Sequence, residues 1–564
     1  MIDARPAWRN ALARYLAFDT RGKIILACLA VCLLAMLGAL LRGQDANWDL
    51  RNYHLYSGWA VWHDRLSMDL APAQRQSYFV PWLDAAYYLL AVPGSPVLAA
   101  AVLGALHGLA FAAAWAVASL TLEGDARRRW LAPLLALAGC LGSAVFLSEL
   151  GNTMGDNTTA PLVIGALALA LRAARTDATR YWLLAGLLLG LALALKLTNG
   201  PYALGLGVAA LAADGRWARR LRGATLMTVA AVAVFAVVAG PWFWMVYQQF
   251  SNPLFPLFNH WFASPLALPL PNNDPHFLPA NAAQMLTWPL LIVANPKRIS
   301  ELGMHQLAWG ALYLLTVLAI GLAVLRRAGR GWVGLPPPNR PAVRMLAVFV
   351  TISFAAWMAA FSIHRYLIAL ELVAPLALWL LARHALPAAS AEKWATGLLA
   401  VCAITGCAAV RNWGHEGWAR RGFMLEMPTM EQPSTTTVLL VLDEPQSWRI
   451  PFLPEPAAYI GIATNLPGSP GYEKRARHIA AERGGKVYAL FPGALPGASC
   501  RCALKKASNQ NSALIEQAQT QLHTRGWQLQ AQSCTVHAAY IGRGNYPFHW
   551  CEVTRLNAAQ PALG

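Results

Sequence analysis

Long apolar runs constrain this chain more than any other feature of its sequence. Two of the clearest are "KIILACLAVCLLAMLGALL" at 23–41 and "GATLMTVAAVAVFAVVAGPWFWMV" at 223–246. Each has the roughly 20 apolar residues that a helix needs to cross a bilayer. Over the whole chain 57% of the residues are hydrophobic and 13% are charged, whereas about 25% of the residues of a soluble domain are charged. The sequence therefore predicts a polytopic α-helical membrane protein.

About eleven apolar segments precede residue 412. They lie near 24–41, 97–120, 131–148, 158–171, 181–195, 201–213, 223–247, 304–325, 343–361, 366–382 and 395–410. The first could also be a cleaved signal peptide, but it is long and lacks a cleavage site flanked by small residues. We expect it to be retained as a helix.

The net charge of +18 would suggest nucleic-acid binding only if the basic residues clustered on a soluble surface. With eleven spans and a cytoplasmic N-terminus, the inward segments instead hold 22 of the 45 Lys and Arg residues. The outward segments before residue 411 are longer in total and hold 8. This positive-inside bias predicts the orientation. We expect a transmembrane body at 1–410 with outward loops 42–95 and 248–303, a periplasmic domain at 411–564, a bacterial inner membrane location and no nucleic-acid partner.

The tail alternates between strand-like and helix-like patterns. "TTVLLVLDE" (436–444) and "KVYALF" (486–491) are typical of buried strands, and 472–485 and 511–527 of helices. This alternation predicts a small α/β domain. Its four cysteines suggest two disulfides in an oxidising compartment, with Cys500 and Cys502 each pairing with Cys534 or Cys551. A zinc site is the alternative, although the spacing is a poor match to zinc ligands.

The stretch "GQDANWDLRNYHLYSGW" (43–59) follows the first apolar run and holds the first candidate site residues. As one helix, it would place Asp45, Asp49, Tyr53 and Tyr56 on one face. Trp48, Leu55, Trp59 and Trp62 would form the other face, against lipid. On periodicity alone this is a simple interface anchor. The alternative is a carboxylate face that belongs to a site.

Further charged groups fall at the same predicted membrane face. Asp156 in "GDNTT" could cap a helix or belong to a site, and Lys196 and Arg365 could reach toward the head groups or bind an anion. Glu371 lies inside a predicted span, where a carboxylate is costly and normally paired, and we expect Arg365 or another cation nearby. The proline- and aromatic-rich loop 250–279 adds His260, Asp274 and His276.

Carboxylates together with cations at an outer membrane face suit sugar transfer from a lipid phosphate. A carboxylate can take the proton of an acceptor hydroxyl. Arg and Lys can stabilise the departing anionic phosphate. A single base opposite the leaving group predicts inversion at the sugar carbon.

The pattern resembles the C-type (GT-C) superfamily of polytopic glycosyltransferases, which use polyprenyl-phosphate-linked sugars. The resemblance covers about the first 410 residues and is carried by "DANWDLRNYH", "GDNTT" and "HRYLIALE". It implies that Asp49 is the catalytic base, Asp156 a second acid and Arg365 a ligand of the donor phosphate. The chain lacks the paired Asp-Glu of the mannosyltransferases in this superfamily and any clear DxD motif. We therefore favour transfer without a metal, with a divalent metal ion as the alternative, and identify no other cofactor.

The sequence thus predicts a glycosyltransferase whose partners are a polyprenyl-phosphate sugar donor, membrane lipid and a glycan, lipid or protein acceptor. Asp45 is the rival of Asp49 for the role of base. The residues expected to bind donor phosphate or substrate are Arg365, Lys196, Tyr53, His54, Tyr366, His260 and Glu371. Two alternatives are a transporter or flippase of lipid-linked glycans and an O-antigen ligase-like assembly factor.

Overall fold

The structure is a computed structural model that describes residues 18–270, 275–462, 465–466, 468–495 and 501–556. Within these ranges, seven helices are long and apolar enough to cross a membrane. All eleven predicted apolar segments are helical, and the other four form shorter or less apolar helices. The chain is thus a polytopic helical membrane protein with a C-terminal α/β region, which confirms the predicted fold class.

The helices of the body follow the predicted segments closely. The seven long apolar helices are α1 (Arg21–Arg42), α4 (Pro96–Thr121), α7 (Asp156–Thr176), α10 (Trp217–Val238), α14 (Leu307–Arg327), α15 (Arg340–Ala360) and α16 (Ile368–Ala385), the last extended by a 3₁₀ turn at His364–Leu367. The other predicted segments contain α5 (Arg128–Gly142), α6 (Ala144–Ser148), α8 (Thr179–Leu195), α9 (Gly200–Leu211), α11 (Gly240–Phe250) and α17 (Ala391–Ala408). The predicted outward loops contain α2 (Leu55–Trp62), α3 (Trp82–Leu89), α12 (Asn259–Phe262) and α13 (Ala282–Ala294).

The C-terminal region contains a six-stranded mixed sheet. Its strands are β4 (Thr437–Leu440), β5 (Ala458–Gly461), β6 (Val487–Pro492), β7 (Trp527–Leu529), β8 (Thr535–His537) and β11 (Phe548–Arg555), and its helices are α18 (Pro470–Arg483) and α19 (Arg501–Thr524). The strand order is β5-β4-β6-β11-β7, with β4 parallel to β5 and β6, and β11 antiparallel to its neighbours, including β8. β3 (Phe423–Leu425), β9 (Ala539–Ile541) and β10 (Gly544–Asn545) form a smaller sheet.

The two faces of the larger sheet have different partners. Alternate side chains of a strand point to opposite faces. Leu439 accordingly joins a core with α18, α19 and Tyr78 of the predicted first outward loop. Val438 and Leu440 join a core with an earlier part of that loop, including Leu50 and Tyr53. The tail is therefore packed directly onto the loop that carries the candidate acids.

The predicted disulfide pattern is wrong. The structure joins Cys534 to Cys551, rather than either of them to Cys500 or Cys502. The reason is strand register: β8 and β11 are antiparallel with Thr535 opposite Trp550, which brings the next residues along, Cys534 and Cys551, to a Cα–Cα distance of 4.1 Å. Cys500, and the side chain of Cys502, lie outside the described residues.

Candidate active site

The first outward loop leaves α1 through a short strand rather than a helix. Gly43 has a φ of +100°, and a Cβ there would lie 2.2 Å from the carbonyl oxygen of Glu416, so only glycine fits this close approach. The following strand β1 (Gln44–Asp45) pairs with β2 (His415–Glu416) at the start of the tail. Contrary to the single-helix prediction, Asp45 thus lies outside the helix that contains Asp49.

Asp45 connects two outward loops. One of its carboxylate oxygens accepts hydrogen bonds from the backbone and side chain of Asn47, and the other accepts from the backbone N–H and hydroxyl of Thr153, both at 2.8 Å. The residue is 3% exposed. With both oxygens occupied, Asp45 holds the 43–59 and 149–157 loops together.

The helix that carries Asp49 contains a π-helical turn at Leu50–His54 before it becomes α2. Such turns are rare and often occur at functional sites. The predicted lipid-facing Trp stripe is only partly correct, because Trp48 and Trp62 are exposed but Leu55 and Trp59 are buried. Leu55 and Trp59 are buried because the tail packs on this side of the helix. The sequence pattern did not predict that contact.

Asp49 and Arg365 form an ion pair. Nη1 of Arg365 donates to Oδ2 of Asp49. The Arg365 side chain is 19% exposed and the Asp49 side chain is 9% exposed. Burial alone would raise the pKa of the Asp49 carboxyl, but the charges of Arg365 and His54 outweigh it and leave that pKa below its usual value. Arg365 comes from the 3₁₀ turn that precedes α16, so a late span completes a site begun by the first loop.

A second ion pair, between Lys196 and Asp156, lies close to the first, and the cations of both pairs contact the ring of Tyr366. Nζ of Lys196 donates to Oδ2 of Asp156 at 2.7 Å and also to the carbonyl oxygen of Met154. Lys196 Nζ and the Arg365 guanidinium each lie 5.3 Å from the centroid of the Tyr366 ring. Asp156 opens α7 after Gly155, so its carboxylate binds the lysine instead of capping the helix. The structure therefore brings Asp49, Asp156, Lys196, Arg365 and Tyr366 together.

Glu149 is a member of this cluster that the sequence did not reveal. It is 0% exposed, and neither of its carboxylate oxygens has a hydrogen-bond partner within the described part of the chain. Burial, together with the charge of Asp156, raises the pKa of Glu149 well above its usual value, against the opposing effect of Arg365 and Lys196. The environment of Glu149 thus favours its neutral form. Its only signal in the sequence is its place, at the end of an apolar run.

His54 and Asp84 form a buried pair beside Tyr53. His54 Nδ1 and Asp84 Oδ1 are 2.6 Å apart, and the rings of Tyr53 and His54 lie 4.0 Å apart. Burial raises the pKa of Asp84, and the charge of His54 opposes that rise. Among the described residues, His54 Nε2 is buried without a hydrogen-bond partner. The pair leaves one imidazole nitrogen available next to the acid cluster.

The partner predicted for Glu371 is wrong. Its carboxylate binds His364 Nε2 at 2.7 Å, the Ser143 hydroxyl at 2.6 Å and Gln306 Nε2 at 2.7 Å, and not Arg365. His364 and Glu371 are seven residues apart, about two helical turns, and therefore share one face. Arg365 is the next residue after His364, so its side chain points in another direction, toward Asp49. This buried polar cluster supports the turn that presents Arg365.

The contacts described for the histidine loop lead to aromatic neighbours and to the tail. His260 is exposed, and its ring lies 4.7 Å from that of Trp261. The loop packs on the tail, where the Ser469 hydroxyl donates to the Pro265 carbonyl oxygen at 2.7 Å. Asp274 lies outside the described residues.

A small cleft of about 200 Å³, including its open mouth, lies beside the two ion pairs. Its walls include Asp156, Arg365, Tyr366, Tyr202 and Ile368. The lining thus combines the charged groups of Asp156 and Arg365 with the apolar surface of Ile368 and the two tyrosine rings. Within the ranges that the structure describes, no three His, Cys, Asp or Glu side chains converge to hold a metal ion.

No protein-family model and no curated protein matches the chain. Among solved structures, it is similar to ArnT from Cupriavidus metallidurans bound to undecaprenyl phosphate, at 14% identity, over 94% of this chain and 98% of that one, with a TM-score of 0.49. It is also similar to the archaeal oligosaccharyltransferase AglB from Archaeoglobus fulgidus in complex with an inhibitory peptide and a dolichol-phosphate, at 14% identity over 82% and 69% of the two chains, with a TM-score of 0.40. The function proposed below rests on the site residues.

Proposed function

We propose that this protein is a membrane glycosyltransferase that moves a sugar from a polyprenyl-phosphate donor to an extracytoplasmic glycan, lipid or protein. The observation that carries the proposal is the pair of cations, Arg365 and Lys196, at equal 5.3 Å distances from the Tyr366 ring, each with its own carboxylate. Two cations at one place suit the anionic oxygens of a phosphate.

In this proposal Asp49 takes the proton of the acceptor hydroxyl. The acceptor oxygen then forms a bond to the anomeric carbon of the sugar, and the bond from that carbon to the phosphate oxygen breaks. The electron pair leaves with the phosphate, whose charge Arg365 and Lys196 stabilise. One displacement of this kind inverts the anomeric configuration.

The ion pair between Asp49 and Arg365 suggests how the base is controlled. A carboxylate whose pKa is lowered by an arginine is a poor base. A donor phosphate competes for the same guanidinium. We propose that its binding draws Arg365 away, so that the pKa of Asp49 rises when the donor is present. The base then becomes effective only in the loaded enzyme.

The proposal includes an orientation. The N-terminus is cytoplasmic, the tail is periplasmic and the membrane is a bacterial inner membrane. The arginine bias of the inward segments supports this orientation, as does the Cys534–Cys551 disulfide, since such bonds persist in oxidising compartments.

The test uses undecaprenyl phosphate and undecaprenol as probes, with the full chain in phospholipid nanodiscs and binding measured by native mass spectrometry. We expect the phosphate to bind at least tenfold more tightly than the alcohol. Arg365→Ala should abolish that preference, and Arg298→Ala, in another outward loop, should keep it. Equal binding of both lipids to the unmodified protein would refute a lipid-phosphate donor site.

A further inference from the structure

A second and larger cavity lies further along the helix that carries Asp49. It encloses about 620 Å³, including its open mouth. Its aromatic walls are Tyr56, Tyr78, Trp82 and Trp242. Ser57 is eight residues after Asp49, so the cavity begins about 12 Å along the helix axis from the proposed base, at about 1.5 Å per residue.

The cavity lies at the level where a span ends. Trp82 Nε1 donates to the carbonyl oxygen of Val238, the last residue of α10, at 2.8 Å. Trp242 follows in α11, where Trp244 and Tyr247 are 59% and 45% exposed. Exposed Trp and Tyr of this kind mark the membrane–water interface. An occupant of the cavity would thus sit at the membrane surface.

The walls of the cavity are rigid. Trp242 Nε1 donates to the Tyr78 carbonyl oxygen at 3.0 Å, and the Tyr56 hydroxyl donates to Asp69 Oδ2 at 2.9 Å. Asp69 also pairs with Arg65, each side chain being 1% exposed, and Arg65 donates to the Ala457 carbonyl oxygen of the tail. The polar groups of the walls thus form hydrogen bonds and an ion pair with one another and with the tail. These bonds hold the aromatic side chains in place.

One polar group in the wall remains without a partner. Ser57 is 3% exposed, and its hydroxyl has no hydrogen bond to any residue that the structure describes. Asp64 adds an exposed carboxylate at the rim. A buried hydroxyl without a partner is costly. An occupant with hydroxyls offers hydrogen-bond partners to Ser57 and Asp64, whereas an acyl chain offers none.

We propose that this cavity binds a sugar unit of the acceptor. A sugar ring has apolar C–H faces that pack on Trp and Tyr rings, and hydroxyl edges that bond to serine and carboxylate oxygens. The inference rests on the proposed function, in which Asp49 is the base that acts on the acceptor. The cavity and Asp49 lie along the same helix, so one acceptor can reach both. It narrows the acceptor to a glycan or a glycolipid at the membrane surface.

The test compares two photoreactive probes with the same chain, an octyl glucoside and an octanol, on the full chain in phospholipid nanodiscs. We expect the glucoside to label residues 56–82 and 242–245, in competition with unlabelled octyl glucoside. Ser57→Ala should raise its half-saturating concentration about three- to tenfold, the effect of one lost hydrogen bond. Ser353→Ala, at another buried hydroxyl without a partner among the described residues, should leave it unchanged.

A second variant protects the test against misfolding. Asp64→Asn is at an exposed position whose φ of +49° asparagine tolerates, and it should also weaken glucoside labelling. Equal labelling of the cavity by octanol, or no labelling there, would overturn the proposal. Labelling needs no catalysis and no lipid phosphate, so a failure of this proposal is distinguished from a failure of the undecaprenyl phosphate test.

Discussion

Glu149 allows the electrostatics of the site to be tested through stability. Its carboxyl is fully buried, and its oxygens have no hydrogen-bond partner among the described residues. Burial raises its pKa well above the value of 4.5 for a free glutamate. Above pH 4.5 the unfolded chain therefore releases this proton while the folded chain keeps it. The free energy of unfolding must then fall as pH rises, until the pH reaches the folded-state pKa.

The size of the effect follows from the linkage. Each pH unit within that window costs about 1.4 kcal/mol of stability. Glu149→Gln keeps a neutral side chain of the same shape and removes the ionisable group. We therefore expect the variant to gain about 1.4 kcal/mol relative to the unmodified protein between pH 5 and pH 6.

The assay is thermal unfolding of both proteins in detergent at pH 5.0, 5.5 and 6.0. The melting temperature of the variant should exceed that of the unmodified protein by a margin that grows with pH. Glu301→Gln, at an exposed glutamate of an outward loop, is the matched control and should show no such trend. Parallel pH profiles of Glu149→Gln and the unmodified protein would mean that Glu149 is ionised in the fold, and would refute the reasoning.

Three further predictions concern the site and its supports. Asp49→Asn should reduce transfer at least a thousandfold while undecaprenyl phosphate binding persists; transfer at the unmodified rate, measured with any donor that the protein accepts, would exclude Asp49 as the base. Glu371→Ala should destabilise the protein by about 3 kcal/mol or more, because it leaves His364, Ser143 and Gln306 with a broken buried network, and a melting temperature equal to that of the unmodified protein would contradict this. Cys534→Ser should cost roughly 3 kcal/mol, the value expected for a short closed loop, and should make Cys551 reactive to a thiol reagent after denaturation; reactive Cys551 in the denatured unmodified protein would show that the disulfide is absent.

The helical body could be predicted well from the sequence. An apolar run of 17 to 25 residues has few other solutions in a membrane, since every backbone polar group must be satisfied within the helix. The tail was also predictable in outline, because β4 and β6 are apolar runs and α18 ends at a glycine. The helices within the predicted outward loops, such as α3 and α13, were not predicted, because with 8 and 13 residues they are shorter than the roughly 20 residues that identify a membrane span.

The candidate site was predictable only in part. Asp49, Asp156, Lys196 and Arg365 stand out because both acids and both cations fall at the same predicted membrane face. Nothing in the sequence separates Asp45 from Asp49, and only the β1–β2 pairing and the bonds to Thr153 show their different surroundings. Glu149 was missed because a single acid at a helix end looks like any solvated carboxylate until its burial is known.

The sequence by itself determined which segments enter the membrane and which polar residues remain at its surface, because hydropathy acts locally along the chain. Only the tertiary structure decided the pairings. Asp49 and Arg365 are 316 residues apart, and Cys534 joins Cys551 rather than Cys500. Such contacts depend on how helices and strands pack, and that packing balances burial, charge and register over the whole molecule at once.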